Sequence, residues 1–188
     1  MGIVLTKGQD KAIKKAKKII EDKNAALPDK DQTAAAVGVG AVIFWALSNS
    51  RIKDSNFSWE ESLSFDGNTG PYVQYTYARA ASLLRKYDEA AGSESKYEKE
   101  LLAEEKALIK VLSSFPDKVL AAMNEYEPFV ITRYALEICS AFNVFYHNCG
   151  ILRADEDEKQ FRMKIVKVVY NVLGKCLDLL TIKRTESI

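Results

Sequence analysis

Aromatic and cationic side chains are the groups in this sequence whose spacing could support a specific function. In the segment SFDGNTGPYVQYTYAR, residues 64–79, Tyr72 and Tyr75 lie three residues apart and precede Arg79. This spacing places both tyrosines on one face of a helix, whereas Tyr77 is offset from that face. Exposed tyrosines beside an arginine can stack on unpaired RNA bases. They can instead pack half-buried between helices with solvated hydroxyls, and the residue types alone favour this second interpretation.

The same two interpretations apply to a second aromatic group, which follows a long apolar stretch. Its members are Phe142, Phe145 and Tyr146. Because large aromatic side chains are more often core residues than ligand contacts, residue type again favours packing.

No set of residues has the spacing of a catalytic or metal site. His147 is the only histidine, and Cys149 lies two residues after it, so the two side chains point to different faces of a helix. The three cysteines are widely spaced, whereas a structural zinc site needs about four ligands at close paired spacings. The segment VGVG, residues 37–40, follows no strand and does not match a phosphate-binding loop. We therefore predict no catalytic residue, no metal ligand and no cofactor in this chain.

Composition sets broad limits on the function. The chain has 188 residues, 47% of them hydrophobic, and a net charge of +1, so bulk charge does not indicate nucleic-acid binding. The odd number of cysteines and the lack of a secretory signal favour a cytoplasmic protein with reduced thiols. The longest apolar run, residues 34–47, is too short to cross a bilayer, so we expect no membrane role.

The N-terminal half of the sequence predicts helices separated by turn residues. We predict a lysine-rich helix over residues 10–24 and a second helix, capped by Asp31, that continues to residues 44–47. Gly38 and Gly40 lie inside the second helix, which suggests close packing against a neighbouring backbone. Thr69 is the expected cap of a third helix that ends near Tyr87.

The C-terminal half is predicted to be helical as well. Helices are expected over residues 96–112, 115–126 and 129–148. The acidic run 155–158 suits the first turn of a last helix, because carboxylates stabilise a helix N-terminus. The whole chain therefore reads as all-α.

Four blocks of this sequence resemble the C-terminal half of arginyl-tRNA synthetases. The most specific block is FSWEESLSFDGNTGPYVQYTYAR, residues 57–79, because FDGNTGPYVQY is close to a family signature. The others are AVGVGAVIFWALSNSRIKD at 36–54, RYALEICSAFNVFYHNCGIL at 133–152 and LGKCLDLLTI at 173–182. The resemblance implies an all-α helical bundle of the DALR anticodon-binding type at residues 59–188. Residues 1–58 would be helices from the junction with a catalytic domain.

The resemblance implies a role in tRNA recognition. Arginyl-tRNA synthetases are ATP-dependent arginine–tRNA ligases whose catalytic Rossmann domain carries signatures of the HIGH and KMSKS type, and neither occurs here. ATP and Mg would belong to the full-length enzyme, and this chain alone is expected to be inactive. The expected partners are arginine tRNA, through its anticodon stem-loop, and the missing catalytic domain; neither DNA nor a membrane is expected. The alternative is a free-standing paralogue that acts as a protein- or RNA-interaction module.

The resemblance also implies individual residue roles. It places Tyr72, Tyr75 and Tyr146 on the RNA-facing side, with Asn143 and His147 in the same motif as Tyr146. Apart from the resemblance, the candidates for phosphate contacts are Arg79, Arg85, Lys86 and Arg133; each of them can instead be a solvated charge on a helix surface, and residue type alone favours that interpretation. Asn49 and Arg51 match a polar loop at the domain junction, and residues 34–59 would pack on the missing domain and be less ordered, or self-associated, without it. Because this chain ends in ESI, where the family often has PERM, we assign no RNA contact to the C-terminus.

Overall fold

Eight α-helices and one 3-10 turn make up the regular structure of the described part of the chain. The computed structural model describes residues 2–24, 26–50, 52, 56–87 and 97–188, and no β-strand occurs among them. The helices are α1 (Gly2–Lys23), α2 (Lys30–Ser48), α3 (Trp59–Ser62), α4 (Gly70–Lys86), α5 (Ala103–Ser113), α6 (Phe115–Glu125), α7 (Phe129–Asn148) and α8 (Glu156–Leu179), with the 3-10 turn at Ile151–Arg153. The predicted all-α fold class is confirmed.

Local capping residues begin α4 and α8, as the sequence predicted. The Thr69 hydroxyl accepts a hydrogen bond from the Tyr72 backbone N–H at 3.2 Å and donates one to the Ser64 carbonyl at 2.6 Å. The Asp155 carboxylate accepts from the backbone N–H of Glu158 at 3.0 Å. Each cap satisfies a backbone donor that the first helical turn leaves unpaired.

The starts of α1, α2 and α5 differ from the predicted ones. Asp29, in a left-handed conformation with φ of 56°, precedes α2, so Asp31 lies in the first turn and does not cap the helix. Its carboxylate instead pairs with Lys17 Nζ of α1 at 2.5 Å. The first helix begins at Gly2, earlier than predicted, whereas α5 begins only at Ala103.

A buried carboxylate lies in the first turn of α5. The Glu105 carboxylate accepts a hydrogen bond from the Leu102 backbone N–H at 2.8 Å and another from Arg162 Nε of α8 at 2.8 Å. Arg162 also donates to the Cys149 carbonyl, at the end of α7, and to the carboxylate of Glu158. Glu105 is fully buried and Arg162 is 4% exposed, so a buried ion pair joins α5, α7 and α8.

The main core lies between α4, α7 and α8. On α4, Val73, Tyr77 and Ala80 face this core, and the Tyr77 ring stacks on Tyr170 of α8 with ring centroids 4.7 Å apart. Phe142 and Phe145 of α7 are completely buried in it. The packing interpretation is therefore right for Tyr77, Phe142 and Phe145.

A smaller core lies between α1 and α2. A Cβ added to Gly38 would lie 2.8 Å from the carbonyl carbon of Ala12 and from the amide nitrogen of Ile13, so only glycine allows this approach of α2 to the α1 backbone. The predicted backbone approach is thus confirmed for Gly38, whereas a Cβ at Gly40 would meet the side chains of Gln74 and Ile182. In length and composition α2 could cross a membrane, but it packs against α1 and α4 inside the fold.

Candidate nucleic-acid interface

Side chains from α4 and α7 meet on one surface of the bundle. Tyr72, Tyr75 and Arg79 follow one another at three- and four-residue intervals on α4, so they share a helix face. Asn143 and Tyr146 lie three residues apart on α7 and approach that face. We call these five residues the tyrosine–arginine surface.

Hydrogen bonds connect the two helices through this surface. The Asn143 side-chain amide donates from Nδ2 to the Tyr72 hydroxyl oxygen at 2.7 Å. Its carbonyl oxygen accepts a hydrogen bond from Arg79 Nη1 at 2.8 Å, and Arg79 Nη2 donates to the Tyr75 hydroxyl at 3.3 Å. Asn143 thus links two α4 side chains that lie seven residues apart.

The guanidinium group of Arg79 also contacts two aromatic rings. Its Cζ atom lies 4.9 Å from the centroid of the Tyr75 ring and 5.1 Å from that of the Tyr146 ring. Such cation–π contacts lie within the usual limit of about 6 Å and contribute roughly 0.5–1 kcal/mol each at exposed sites. Arg79 is therefore held in place and only partly exposed.

The tyrosines of this surface differ in exposure. The Tyr75 side chain is 38% exposed, which leaves ring area for a ligand, and its other neighbour is the Phe65 ring, with centroids 6.3 Å apart. Tyr72 and Tyr146 are half-buried. Burial raises the pKa of the Tyr72 phenol, and the hydrogen bond from Asn143 opposes part of that rise. The phenol therefore remains protonated at neutral pH.

Two adjoining hollows flank Tyr75 and Arg79, with volumes of about 400 and 570 Å³. Both are also lined by Ile188, and the smaller one reaches Tyr146 and Arg85. These volumes fall within the range of roughly 300–1,000 Å³ found for ligand sites. The surface thus combines aromatic faces, a guanidinium group and concave space.

The C-terminal residues lie against the same surface, a placement that was not predicted. The Glu186 backbone carbonyl accepts a hydrogen bond from Arg85 Nη2 at 3.0 Å, and its carboxylate accepts one from the Tyr170 hydroxyl at 2.7 Å. Ile188 packs against the smaller core. No spacing rule identifies these contacts, because they join residues 16 and 101 positions apart.

Two other predicted contact residues occupy different positions. His147 is exposed at the edge of the surface, and its ring meets the Tyr146 ring edge-on at 5.6 Å. Arg133 is exposed near the opposite end of α7, with its guanidinium 4.8 Å from the Phe129 ring centroid. Thirteen residues separate Arg133 from Tyr146, which is about 20 Å along a helix axis. Arg133 does not belong to the tyrosine–arginine surface.

The predicted junction residues lie elsewhere. Asn49 follows α2, and its side-chain amide donates to the Trp45 carbonyl at 2.7 Å. It borders a groove of about 660 Å³ between α2, α3 and the start of α4. Arg51 lies outside the described residues.

The cysteines and acidic residues do not assemble into a reactive site in the described part of the chain. Burial raises the pKa of the Cys139 and Cys176 thiols to about 12 and that of Cys149 to about 11. Thiols with such pKa values are poor nucleophiles near neutral pH. The described residues contain no group of three or more His, Cys, Asp or Glu side chains that could hold a metal ion.

Known proteins resemble this chain over nearly all its length. Arginine–tRNA ligase of Halothermothrix orenii is 48% identical over 183 residues, which are 94% of this chain and 31% of the relative. Arginine–tRNA ligase of Clostridium acetobutylicum is 46% identical over 176 residues, or 93% of this chain and 31% of the relative. The chain therefore spans about a third of the length of these curated relatives.

Solved structures share the fold. Thermus thermophilus arginyl-tRNA synthetase superposes with a TM-score of 0.90 and 34% identity, covering 97% of this chain and 32% of that one. Arginyl-tRNA synthetase from Plasmodium falciparum gives a TM-score of 0.84 at 25% identity, covering 100% of this chain and 33% of that one. The family model of the DALR anticodon binding domain matches residues 73–188. Because that match includes more than half of the sequence, this chain belongs to the DALR anticodon binding domain family.

Proposed function

We propose that this chain recognises the anticodon stem-loop of arginine tRNA as part of an arginine–tRNA ligase. The observation that carries the proposal is the assembly of Tyr72, Tyr75, Arg79, Asn143 and Tyr146 on one surface within a family named for anticodon binding. In this proposal, unpaired loop bases stack on exposed tyrosine faces and cationic side chains contact the phosphates.

The chemistry of the surface suits single-stranded RNA. Base–aromatic stacking contributes about 1–3 kcal/mol per base, and the partly exposed Tyr75 ring offers such a face. Arg79, Arg85 and Lys86 of α4 border the smaller hollow. This local charge matters because the net charge of the chain is only +1. Recognition therefore depends on this surface more than on long-range attraction.

We further propose that two parts of the chain have different roles. Residues 59–188 form the anticodon-binding bundle, and residues 1–58 form the helical junction to a catalytic domain. That domain would supply the ATP and arginine chemistry and would contact the loop that includes Asn49 and Arg51. We expect the protein to act in the cytoplasm. An ATP–pyrophosphate exchange assay tests this division, because arginine-dependent exchange by this chain would show that catalytic groups lie within it.

Fluorescence anisotropy with a labelled arginine tRNA tests the binding proposal. The wild-type chain should bind at low salt and lose affinity as salt rises, because phosphate contacts release counterions. Tyr75→Ala should weaken binding roughly 5- to 150-fold, which corresponds to the loss of about 1–3 kcal/mol of stacking.

The matched control is Tyr126→Ala. Tyr126 is 75% exposed, but it lies at the end of α6, outside the tyrosine–arginine surface. This variant should bind like wild type. Equal and negligible binding of wild type to arginine tRNA and to a non-cognate tRNA would refute the proposal, as would equal losses in the Tyr75 and Tyr126 variants.

The alternative of a free-standing interaction module makes a different prediction. Such a module would retain its partner binding after Tyr75→Ala and would not distinguish arginine tRNA from other RNA. Competition between labelled arginine tRNA and unlabelled non-cognate tRNA separates the two functions. Only the ligase role requires that the chain keep the arginine tRNA bound in preference to the competitor.

A further inference from the structure

We propose that Asn143 is a positioning residue that fixes the geometry of the RNA-binding groups and does not itself contact RNA. The inference rests on the proposed function and assigns to Asn143 a role that neither its motif nor its family indicates. Its basis is that both polar atoms of the side-chain amide are used within the protein, one by Tyr72 and one by Arg79.

The arginine determines the orientation of the amide. A guanidinium group only donates hydrogen bonds, so Asn143 must present its carbonyl oxygen to Arg79 Nη1, 2.8 Å away. The NH₂ group then faces Tyr72, and the Tyr72 oxygen must act as the acceptor at 2.7 Å. A reversed amide would place two donors against each other at Arg79.

This orientation determines what Tyr72 can offer a ligand. Its oxygen already accepts a hydrogen bond from Asn143, so the hydroxyl hydrogen is available as a donor. No residue in the described part of the chain takes that hydrogen in a hydrogen bond. The half-buried Tyr72 thus presents one directed donor, which would select a hydrogen-bond acceptor on the bound RNA.

The same amide restricts Arg79. The bond to Asn143 and the bond to the Tyr75 hydroxyl use two of the five guanidinium N–H groups. Among the described residues none accepts from the remaining three, and Arg79 lines both hollows. Arg79 is held with its donors already oriented, so RNA binding does not have to order a flexible side chain.

The backbone beneath Asn143 is suited to this role. Its neighbours Phe142 and Phe145 are completely buried, and the end of α7 is held by the hydrogen bond from Arg162 to the Cys149 carbonyl. Because α7 is held firmly in the fold, the hydrogen bonds of Asn143 also hold two side chains of α4 in place. Supporting hydrogen bonds of this kind keep the side chains of a binding site in the geometry that binding requires.

Anisotropy with an arginine-tRNA anticodon stem-loop tests the proposal through two variants. Asn143→Ala frees both Tyr72 and Arg79, and we expect a loss of affinity of roughly 5- to 20-fold, the size of one or two lost hydrogen bonds. Asn143→Asp keeps the acceptor for Arg79 but takes the Tyr72 hydroxyl hydrogen and neutralises the arginine charge. It should also weaken binding, with a smaller dependence of affinity on salt. The matched control is Asn124→Ala, an exposed asparagine on α6 that should leave binding unchanged.

A double-mutant cycle separates positioning from direct contact. In a Tyr72→Phe, Arg79→Ala background, adding Asn143→Ala should have almost no further effect on affinity, because the groups that it positions are already gone. A direct RNA contact by Asn143 would instead give an additive loss and would overturn the proposal.

An RNA-free readout distinguishes failure of this inference from failure of the proposed function. Nitrogen-detected NMR should show slow rotation of the Arg79 guanidinium in wild type and in Asn143→Asp, and fast rotation in Asn143→Ala. Equal rotation rates in all three would overturn the positioning role even if RNA binds. Slow rotation in wild type and fast rotation in Asn143→Ala, together with no RNA binding, would leave Asn143 as the organiser of the surface and refute the RNA function alone.

Discussion

Replacement of Arg162 by methionine should destabilise the fold strongly, because it leaves the Glu105 carboxylate buried without its charged partner. Glu105 is fully buried, and among the described residues the one hydrogen-bond donor left to it after the change would be the Leu102 backbone N–H. Removing one member of a buried ion pair costs about 3–5 kcal/mol. For a chain of this size that corresponds to a fall in Tm of roughly 6–20 °C.

The double variant Arg162→Met, Glu105→Leu tests this explanation. It removes the unpaired charge, so the remaining cost should be about 1 kcal/mol for the Leu102 N–H that loses its acceptor, besides the hydrogen bond to the Cys149 carbonyl that both variants lose. The double variant should therefore be at least about 2 kcal/mol more stable than Arg162→Met alone.

Urea unfolding followed by far-UV circular dichroism measures these free energies. The matched control is Lys106→Met, which breaks an exposed pair with Glu100 and should cost about 0–1 kcal/mol. A loss below about 1 kcal/mol in Arg162→Met, or a double variant less stable than that single variant, would refute the buried-charge reasoning.

Three further predictions concern packing, thiol reactivity and pH. Gly38→Ala should destabilise the chain by about 1–3 kcal/mol in urea unfolding, because its Cβ would meet the α1 backbone at 2.8 Å, whereas Gly8→Ala, with 3.9 Å of clearance, should not. The thiols of Cys139, Cys149 and Cys176 should not react with DTNB in the folded protein at pH 8 but should react in urea, because burial raises their pKa values far above that pH. A fast reaction of the folded protein would contradict this. The hydrogen bonds from Arg184 lower the pKa of the Asp178 carboxyl, so its stabilising contribution is present above about pH 4 and lost as pH falls through the folded-state pKa. The difference in unfolding free energy between wild type and Asp178→Asn should disappear at acidic pH. A difference that does not change with pH would contradict this assignment.

Local sequence signals predicted the parts of the fold that local chemistry determines. The bounds of α7, the cap at Thr69 and the acidic first turn of α8 follow from residues within a few positions of each other. The position of Tyr77 off the Tyr72–Tyr75 face also follows from helical spacing alone, and the structure buries that ring. Such features need no knowledge of distant neighbours.

Features that depend on distant pairs were not predictable. Glu105 and Arg162 are 57 residues apart, so no local pattern indicates their ion pair. Asn143 and Tyr72 are 71 residues apart, so the link that organises the surface has no sequence signal. The C-terminal contacts of Glu186 are of the same kind, because only the packing of α4 against α8 brings them together. The resemblance named Tyr72, Tyr75, Asn143 and Tyr146 as candidates, and the structure shows how their side chains are connected.

Mapping of the contact surface by NMR tests the central claim most directly. An isotope-labelled sample would be titrated with the isolated anticodon stem-loop of arginine tRNA, and shifts of backbone and side-chain signals would be recorded. The proposed function predicts that the largest shifts lie at Tyr72, Tyr75, Arg79 and Tyr146 and decline with added salt. Shifts confined to α6, or saturable binding that leaves those four residues unchanged, would contradict it.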